Sequence, residues 1–219
     1  MKLCRINLSY QRPDAALVQA FEGLPAANID DCLGRMSAVD AKIRPVNKAS
    51  LLGTAFTIRV PAGDNLLFHY AMDMLQPGDI AVIAAGGFEE RAIFGELMAT
   101  YCQSRGAAGI VVDGCVRDYE ELSQMTMPVY AKGVSPNGPY KNGPGTIGEP
   151  VSIGGQVICP GDILVGDGDG LVVIDPKIAE ELLREVVAVN KKEEGIKKNI
   201  LERGTYERTW VGEKMAEFL

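Results

Sequence analysis

Two short apolar runs limit what this chain can become. IAVIAAGG occupies residues 80–87 and AAGIVVDG residues 107–114. Runs of this length, bounded by turn residues, are the kind found in strands buried on both faces. Between them lies GELMATYCQSRG (95–106), a helical pattern closing on Gly106 as a C-cap. Upstream, LLGTAFTIRV (51–60) alternates Thr and Arg with apolar residues and predicts a strand. Pro61 to Asn65 form a turn that caps a helix over LLFHYAMDML (66–75). PVYAKGV (128–134) predicts another strand, and residues 151–175 read as all-β, punctuated by Pro-Gly-Asp and Gly-Asp-Gly turns. Strands thus alternate with helices and then cluster late, which predicts an α/β or α+β fold around a mixed sheet.

The remaining segments are read from caps and turns. A short amphipathic helix is expected over about 13–21, and Asn28 to Asp31 offer caps for another helix ending near Gly34. Residues 114–118 read as a loop, 119–125 as a helix and the Gly/Pro-rich stretch 135–150 as a loop. Asp175-Pro176 opens a long helix with proline in its first turn, running to Gly204. That helix carries KKEEGIKK, a charged surface suited to a neighbouring subunit.

Composition narrows the function. The 219 residues carry 29 acidic and 22 basic side chains, a net charge of −7. Such a chain repels phosphate backbones and anionic lipid heads, so neither nucleic acid nor a membrane is an expected partner. Cys4, Cys32, Cys102, Cys115 and Cys159 are widely spaced with no CxxC pair, which favours reduced, mostly buried thiols over a zinc or redox site. The opening MKLCRINLSYQRPDAALVQAF has no long apolar run and no small-residue cleavage site. A cytoplasmic protein is expected.

The candidate chemistry gathers around Arg117-Asp118, just beyond the strand IVVD, where ligands of α/β sheets usually bind. A guanidinium grips a carboxylate in bidentate fashion, and an aspartate holds a hard cation through oxygen. The same pair also fits a surface ion pair beside a helix cap. Glu96 lies in the first turn of the 95–106 helix, whose unpaired N–H groups make an anion site. It can orient a metal-bound water, or simply favour the helix dipole. Asn65 and His69 stand one helical turn apart and are expected on one face. His69 equally fits a packing residue, and Lys141 either charges the pocket or stays a solvated loop lysine. Gly166 to Gly170 lacks the spacing and terminal Glu of an EF-hand and reads as a turn. No GxSxG elbow, P-loop or strand–GxGxxG–helix unit occurs.

The run GELMATYCQSRGAAGIVVDGCVRD (95–118) resembles the signature of the RraA-like proteins, which include the 4-hydroxy-4-methyl-2-oxoglutarate aldolases. GTAFTIRVPAGDNLLFHYA (53–71) and GDILVGDGDGLVVI (161–174) are similar to flanking segments of that family. The resemblance implies one RraA-like domain over 1–219, with a swivelling, phosphohistidine-domain-like β/β/α fold, a mixed sheet and a long C-terminal helix. It implies trimers or hexamers, with helix 176–204 touching a neighbouring subunit. It implies a metal-dependent class II pyruvate aldolase that also decarboxylates oxaloacetate. Asp118 would ligate Mg²⁺ or Mn²⁺, and Arg117 would contact the pyruvoyl unit. The backbone of Leu97 and Met98 would receive the substrate carboxylate. Glu96 and a neighbouring subunit's Glu193 would complete the outer shell of the metal, and Asn65, His69 and Lys141 would line the pocket. The family also contains non-catalytic members that bind a ribonuclease, which is the alternative reading.

Overall fold

The computed structural model describes residues 3–219. Its first half contains β1 (Arg5–Ile6), α1 (Ala15–Gln19), α2 (Ala26–Cys32), β2 (Arg44–Pro45), β3 (Leu51–Arg59), α3 (Leu66–Met72), β4 (Asp79–Ala84) and β5 (Ala92–Phe94). Then follow α4 (Glu96–Ser104), β6 (Gly109–Val116), α5 (Tyr119–Gln124), β7 (Val129–Val134), β8 (Thr146–Ile147), β9 (Val151–Ile153) and β10 (Gln156–Ile158). The chain closes with β11 (Ile163–Gly166), β12 (Leu171–Ile174), α6 (Ala179–Arg203) and α7 (Thr209–Met215).

The two apolar runs become the centre of the sheet. β3, β4, β6 and β7 lie side by side and run parallel. β11, β8 and β2 join antiparallel at the flanks, so the sheet is mixed. Side chains alternate between faces with period two. Ala81, Ile83, Ile110 and Val112 pack with Leu67, Phe68, Ala99 and Leu122 of α3, α4 and α5. Ile80, Val82 and Val111 pack on the other face with Val151, Ile153 and Ile158 of the β9–β10 hairpin. The layers are therefore hairpin, sheet, helices, the β/β/α order the resemblance implied. A third cluster joins Ile29 of α2 and Leu182 of α6 to Ile163 and Val172 of the β11–β12 pair.

Several boundaries differ from the sequence reading. Asn28 to Asp31 lie inside α2 rather than ahead of it. Pro25 starts that helix, and the Asp167 carboxylate accepts from the Ala26 N–H at 2.9 Å as its cap. The same Asp167 accepts from the Asp169 N–H, so 166–170 is a self-bonded turn as expected. Residues 114–116 continue β6, because β5 and β7 pair with them on either side. α3 stops at Met72, its last turn tightened by bonds from Met74 to Ala71 and Leu75 to Met72. Asp175-Pro176 forms a turn first, the Asp175 side chain accepting from the Lys177 N–H, and α6 begins at Ala179. β1, β2, β5, β8 and α7 were not anticipated. Only Cys102 and Cys115 are buried, whereas Cys4 and Cys159, outside the packed layers, are exposed. No helix among the described residues is long and apolar enough to cross a membrane.

Candidate active site

Arg117 and Asp118 follow directly on β6, at the carboxyl ends of the parallel strands. The Arg117 N–H is tied to the Phe94 carbonyl at 3.0 Å, which draws the end of β5 alongside. Asp118 sits in the left-handed region, at φ 56° and ψ 50°. A non-glycine residue there is uncommon and points to a site where orientation matters more than backbone comfort. The conformation has a visible consequence. Asp118 opens α5, yet its side chain makes no cap for that helix. Its Oδ2 instead accepts from the Glu96 N–H at 3.0 Å, the first N–H of α4. The Arg117 Nε lies 3.8 Å from the same oxygen, with both side chains roughly half exposed.

Gly95 makes room for this arrangement. A Cβ there would stand 2.1 Å from Asp118 Oδ2 and 2.9 Å from Arg117 Cγ. The carboxylate thus rests in a cradle that any side chain at 95 would fill. Leu97 and Met98 follow with N–H groups that no acceptor among the described residues takes. Together with the dipole of α4 they leave an anion-binding end open beside the guanidinium.

The other predicted residues divide. Asn65 is not on the helical face with His69; it is the N-cap of α3, at φ −132°. Its side chain is buried and donates from Nδ2 to the Ile93 carbonyl at 2.8 Å and to Met98 Sδ at 3.4 Å. Its Oδ1 is the one buried side-chain polar atom without a partner among the described residues. His69 is exposed, and its pKa is lowered by partial desolvation and by nearby Lys141. Glu193, on the exposed half of α6, accepts from Asn28 Nδ2 at 2.8 Å within its own chain. No contact among the described residues brings it to Asp118.

Two positioning residues escaped the sequence reading. Asp64 is buried, and its carboxylate accepts from the N–H groups of Leu66, Asn142 and Gly143 at 2.9, 2.6 and 3.2 Å. It locks the start of α3 to the loop that carries Lys141. Arg91 donates to the Gly138 carbonyl and the Tyr140 hydroxyl, both at 2.8 Å, with its guanidinium 4.1 Å over the Tyr140 ring. That loop in turn borders Arg117, whose Nη1 lies 3.4 Å from the place of a Gly138 Cβ. The turn residues 61–65 were the only sequence signal for Asp64, and nothing marked Arg91.

No group of three or more His, Cys, Asp or Glu side chains among the described residues can enclose a metal ion. A cation here would have one protein carboxylate and otherwise water. The cradle fits that case: one oxygen of Asp118 is fixed by an N–H and the carboxylate stays accessible. Oxygen-only coordination with several retained waters is what magnesium accepts.

The family profile described as RraA-like: Aldolase/RraA matches residues 26–173. The chain belongs to the RraA-like family. A protein of Halalkalibacterium halodurans, provisionally named a 4-hydroxy-4-methyl-2-oxoglutarate aldolase, is 38% identical over 165 residues, covering 75% of this chain and 78% of that relative. Streptomyces coelicolor RraAS2, described as an unusual member of the RNase ES inhibitor RraA family, superposes with a TM-score of 0.77 at 27% identity, covering 86% of this RraA-like chain and all of its own. The RNA-processing inhibitor RraA of Thermus thermophilis gives 0.64 at 27% identity, covering 68% of this chain and 92% of its own. The α/β fold with its mixed sheet is that of the family, and the long C-terminal helix of this chain follows the matched residues 26–173.

Proposed function

We propose that this RraA-like protein is a class II pyruvate aldolase, cleaving the bond between C3 and C4 of 2-oxo acids of the 4-hydroxy-4-methyl-2-oxoglutarate type. The supporting observation is the Asp118 carboxylate fixed on the α4 N-terminus, beside Arg117, in a cradle open because residue 95 is glycine. Asp118 would hold Mg²⁺ or Mn²⁺, with Glu96 and a neighbouring subunit's Glu193 facing its waters. When bound, the cation supplies Lewis-acid stabilisation of negative charge on the 2-oxo oxygen.

The chain's own groups supply the rest. The N–H groups of Leu97 and Met98 receive the substrate carboxylate at the positive end of α4. Arg117 pairs with the oxo acid and stays in place as charge moves onto the 2-oxo oxygen, so it binds the transition state more tightly than the ground state. Glu96 accepts the proton that leaves the 4-hydroxyl group as the C3–C4 bond breaks. The electron pair enters the pyruvate half as its enolate, and the proton returns to C3. Oxaloacetate would lose carbon dioxide at the same place, because its decarboxylation leaves the same enolate. Lys141, on the loop that Asp64 and Arg91 tie down, and His69 near it on α3 would meet a second carboxylate of the substrate.

The test is pyruvate release from such substrates and from oxaloacetate, with and without Mg²⁺. Arg117→Ala is expected to lower kcat/KM by about 10²–10³, the loss typical of one oxyanion donor. Unchanged turnover in that variant overturns the reading. The likeness to the two RraA structures favours a second reading, a non-catalytic regulator of a ribonuclease. Its signature is tight ribonuclease binding that survives EDTA and Asp118→Ala.

A further inference from the structure

A second charged constellation lies away from Asp118. β1, β8 and β3 are neighbours in the sheet, and one row crosses all three: Arg5 opposes Thr146, and Thr146 opposes Arg59. Directly opposed residues on adjacent strands project to the same face. Two guanidinium side chains therefore flank one hydroxyl, with strand axes about 9.5 Å apart across two strand spacings. Alternation along β3 puts Arg59 on the face of Ala55, the face that the β9–β10 hairpin covers. The row lies at the edge of that hairpin and lines a cleft of about 910 Å³ with Val60, Val151 and Val157.

The electrostatics of this cleft are unusual for an acidic chain. Among the described residues no Asp or Glu lines it. Neither Arg5 nor Arg59 has an ion pair among the described residues, although acidic side chains outnumber basic ones 29 to 22. Both are exposed, and their backbones lie about 9.5 Å apart, so the two like charges repel across a distance comparable to one Debye length. An anion between them removes that repulsion and takes up both forked donor sets. The hydroxyls of Thr146 and Ser152 add neutral donors, and the valines offer apolar wall to a carbon skeleton.

We infer that Arg5, Thr146 and Arg59 form an anion site for a small organic molecule with two anionic groups, one for each guanidinium. The site shares no residue with the aldolase reading and stands or falls independently of it. Titration calorimetry on the full chain tests it, with citrate as the polycarboxylate probe and fructose 1,6-bisphosphate as the phosphate probe. Arg117→Gln serves as background, so that the anion end of α4 does not contribute. At least one probe is expected to bind with one site per chain. Arg59→Gln and Arg5→Gln should each weaken binding about tenfold or more, the loss expected for a charge-assisted pair. Arg59→Lys, which keeps charge but not the fork, should fall between. Binding of citrate alone assigns a carboxylate ligand, and binding of the bisphosphate alone a phosphate ester. Absence of binding by both probes, or affinity unchanged in Arg59→Gln with thermal unfolding intact, overturns the inference.

Discussion

Asp118 is a residue whose backbone and side chain serve different helices. Its carbonyl accepts from the Leu122 N–H and starts α5, while its carboxylate caps the start of α4. The left-handed conformation makes this division possible, and Gly95 leaves the space for it. A methyl group at 95 has no room unless the carboxylate moves. Gly95→Ala should therefore cost about 10²-fold in pyruvate release, the effect of misplacing a reacting group by an ångström or so. Thermal unfolding of the variant checks that the sheet and helices persist. His69 allows a cleaner measurement, because it is the only histidine. Desolvation first and Lys141 second lower its pKa from 6.5. Its imidazole resonance should titrate below 6.5, and Lys141→Ala should move the midpoint upward without restoring it fully. The sign for stability follows. The folded state binds fewer protons than the unfolded chain as pH falls through 6.5, so this residue withdraws stability on acidification. A titration unmoved by Lys141→Ala would show that the loop does not hold the lysine against His69.

At the scale of elements, the legible parts were those whose signals are local. Period-two alternation marked β3, apolar runs marked β4 and the start of β6, and Gly106 marked the end of α4. Arg117, Asp118 and Glu96 were legible for the same reason, since a strand end and a helix start fix them together. What escaped depends on partners far along the chain. β1, β2 and β8 are two-residue strands that exist only because a neighbouring strand offers its edge. The cap of α2 comes from Asp167, 141 residues away. Asn65 departs from the reading that set it on one helical face with His69, because spacing alone does not reveal that it ends the turn and points inward. Arg12 belongs to the same class. Its guanidinium donates from Nε and Nη2 to both oxygens of Asp79 at 2.8 Å, where Asp79 is fully buried at the start of β4. This pair fastens the segment between β1 and α1 to the sheet. Removing one member leaves a buried charge unpaired, so Arg12→Ala should cost about 3–5 kcal/mol by urea unfolding. A loss below about 1 kcal/mol, the value of an exposed pair, would mean that the carboxylate finds another partner.

At the scale of the whole molecule, the C-terminal region exposes apolar side chains that nothing within the single chain covers. Only Ala179, Leu182 and Val186 of α6 are buried, all in its first two to three turns. Beyond them the helix exposes Leu201, α7 exposes Trp210 and Met215, and the turn after α7 exposes Phe218. Where such side chains come together in one patch, they form the kind of surface that proteins use for association. Such surfaces in soluble proteins are most often closed by identical copies under rotational symmetry. The same helix carries Glu193, which in its own chain reaches Asn28 and not Asp118. If Glu193 serves the candidate site, it does so across an interface, and assembly and activity are then linked. Sedimentation velocity of the full chain should give a trimer or hexamer of the 23.5 kDa unit. A chain ending at Gly204 loses α7 and five large exposed hydrophobic residues, Tyr206, Trp210, Met215, Phe218 and Leu219, and should shift toward smaller species. Specific activity of the truncated chain should then fall on dilution, as the assembly dissociates. A full-length chain that sediments as a monomer and still releases pyruvate would remove Glu193 from the site, leaving Arg117, Asp118 and Glu96 to act within one subunit.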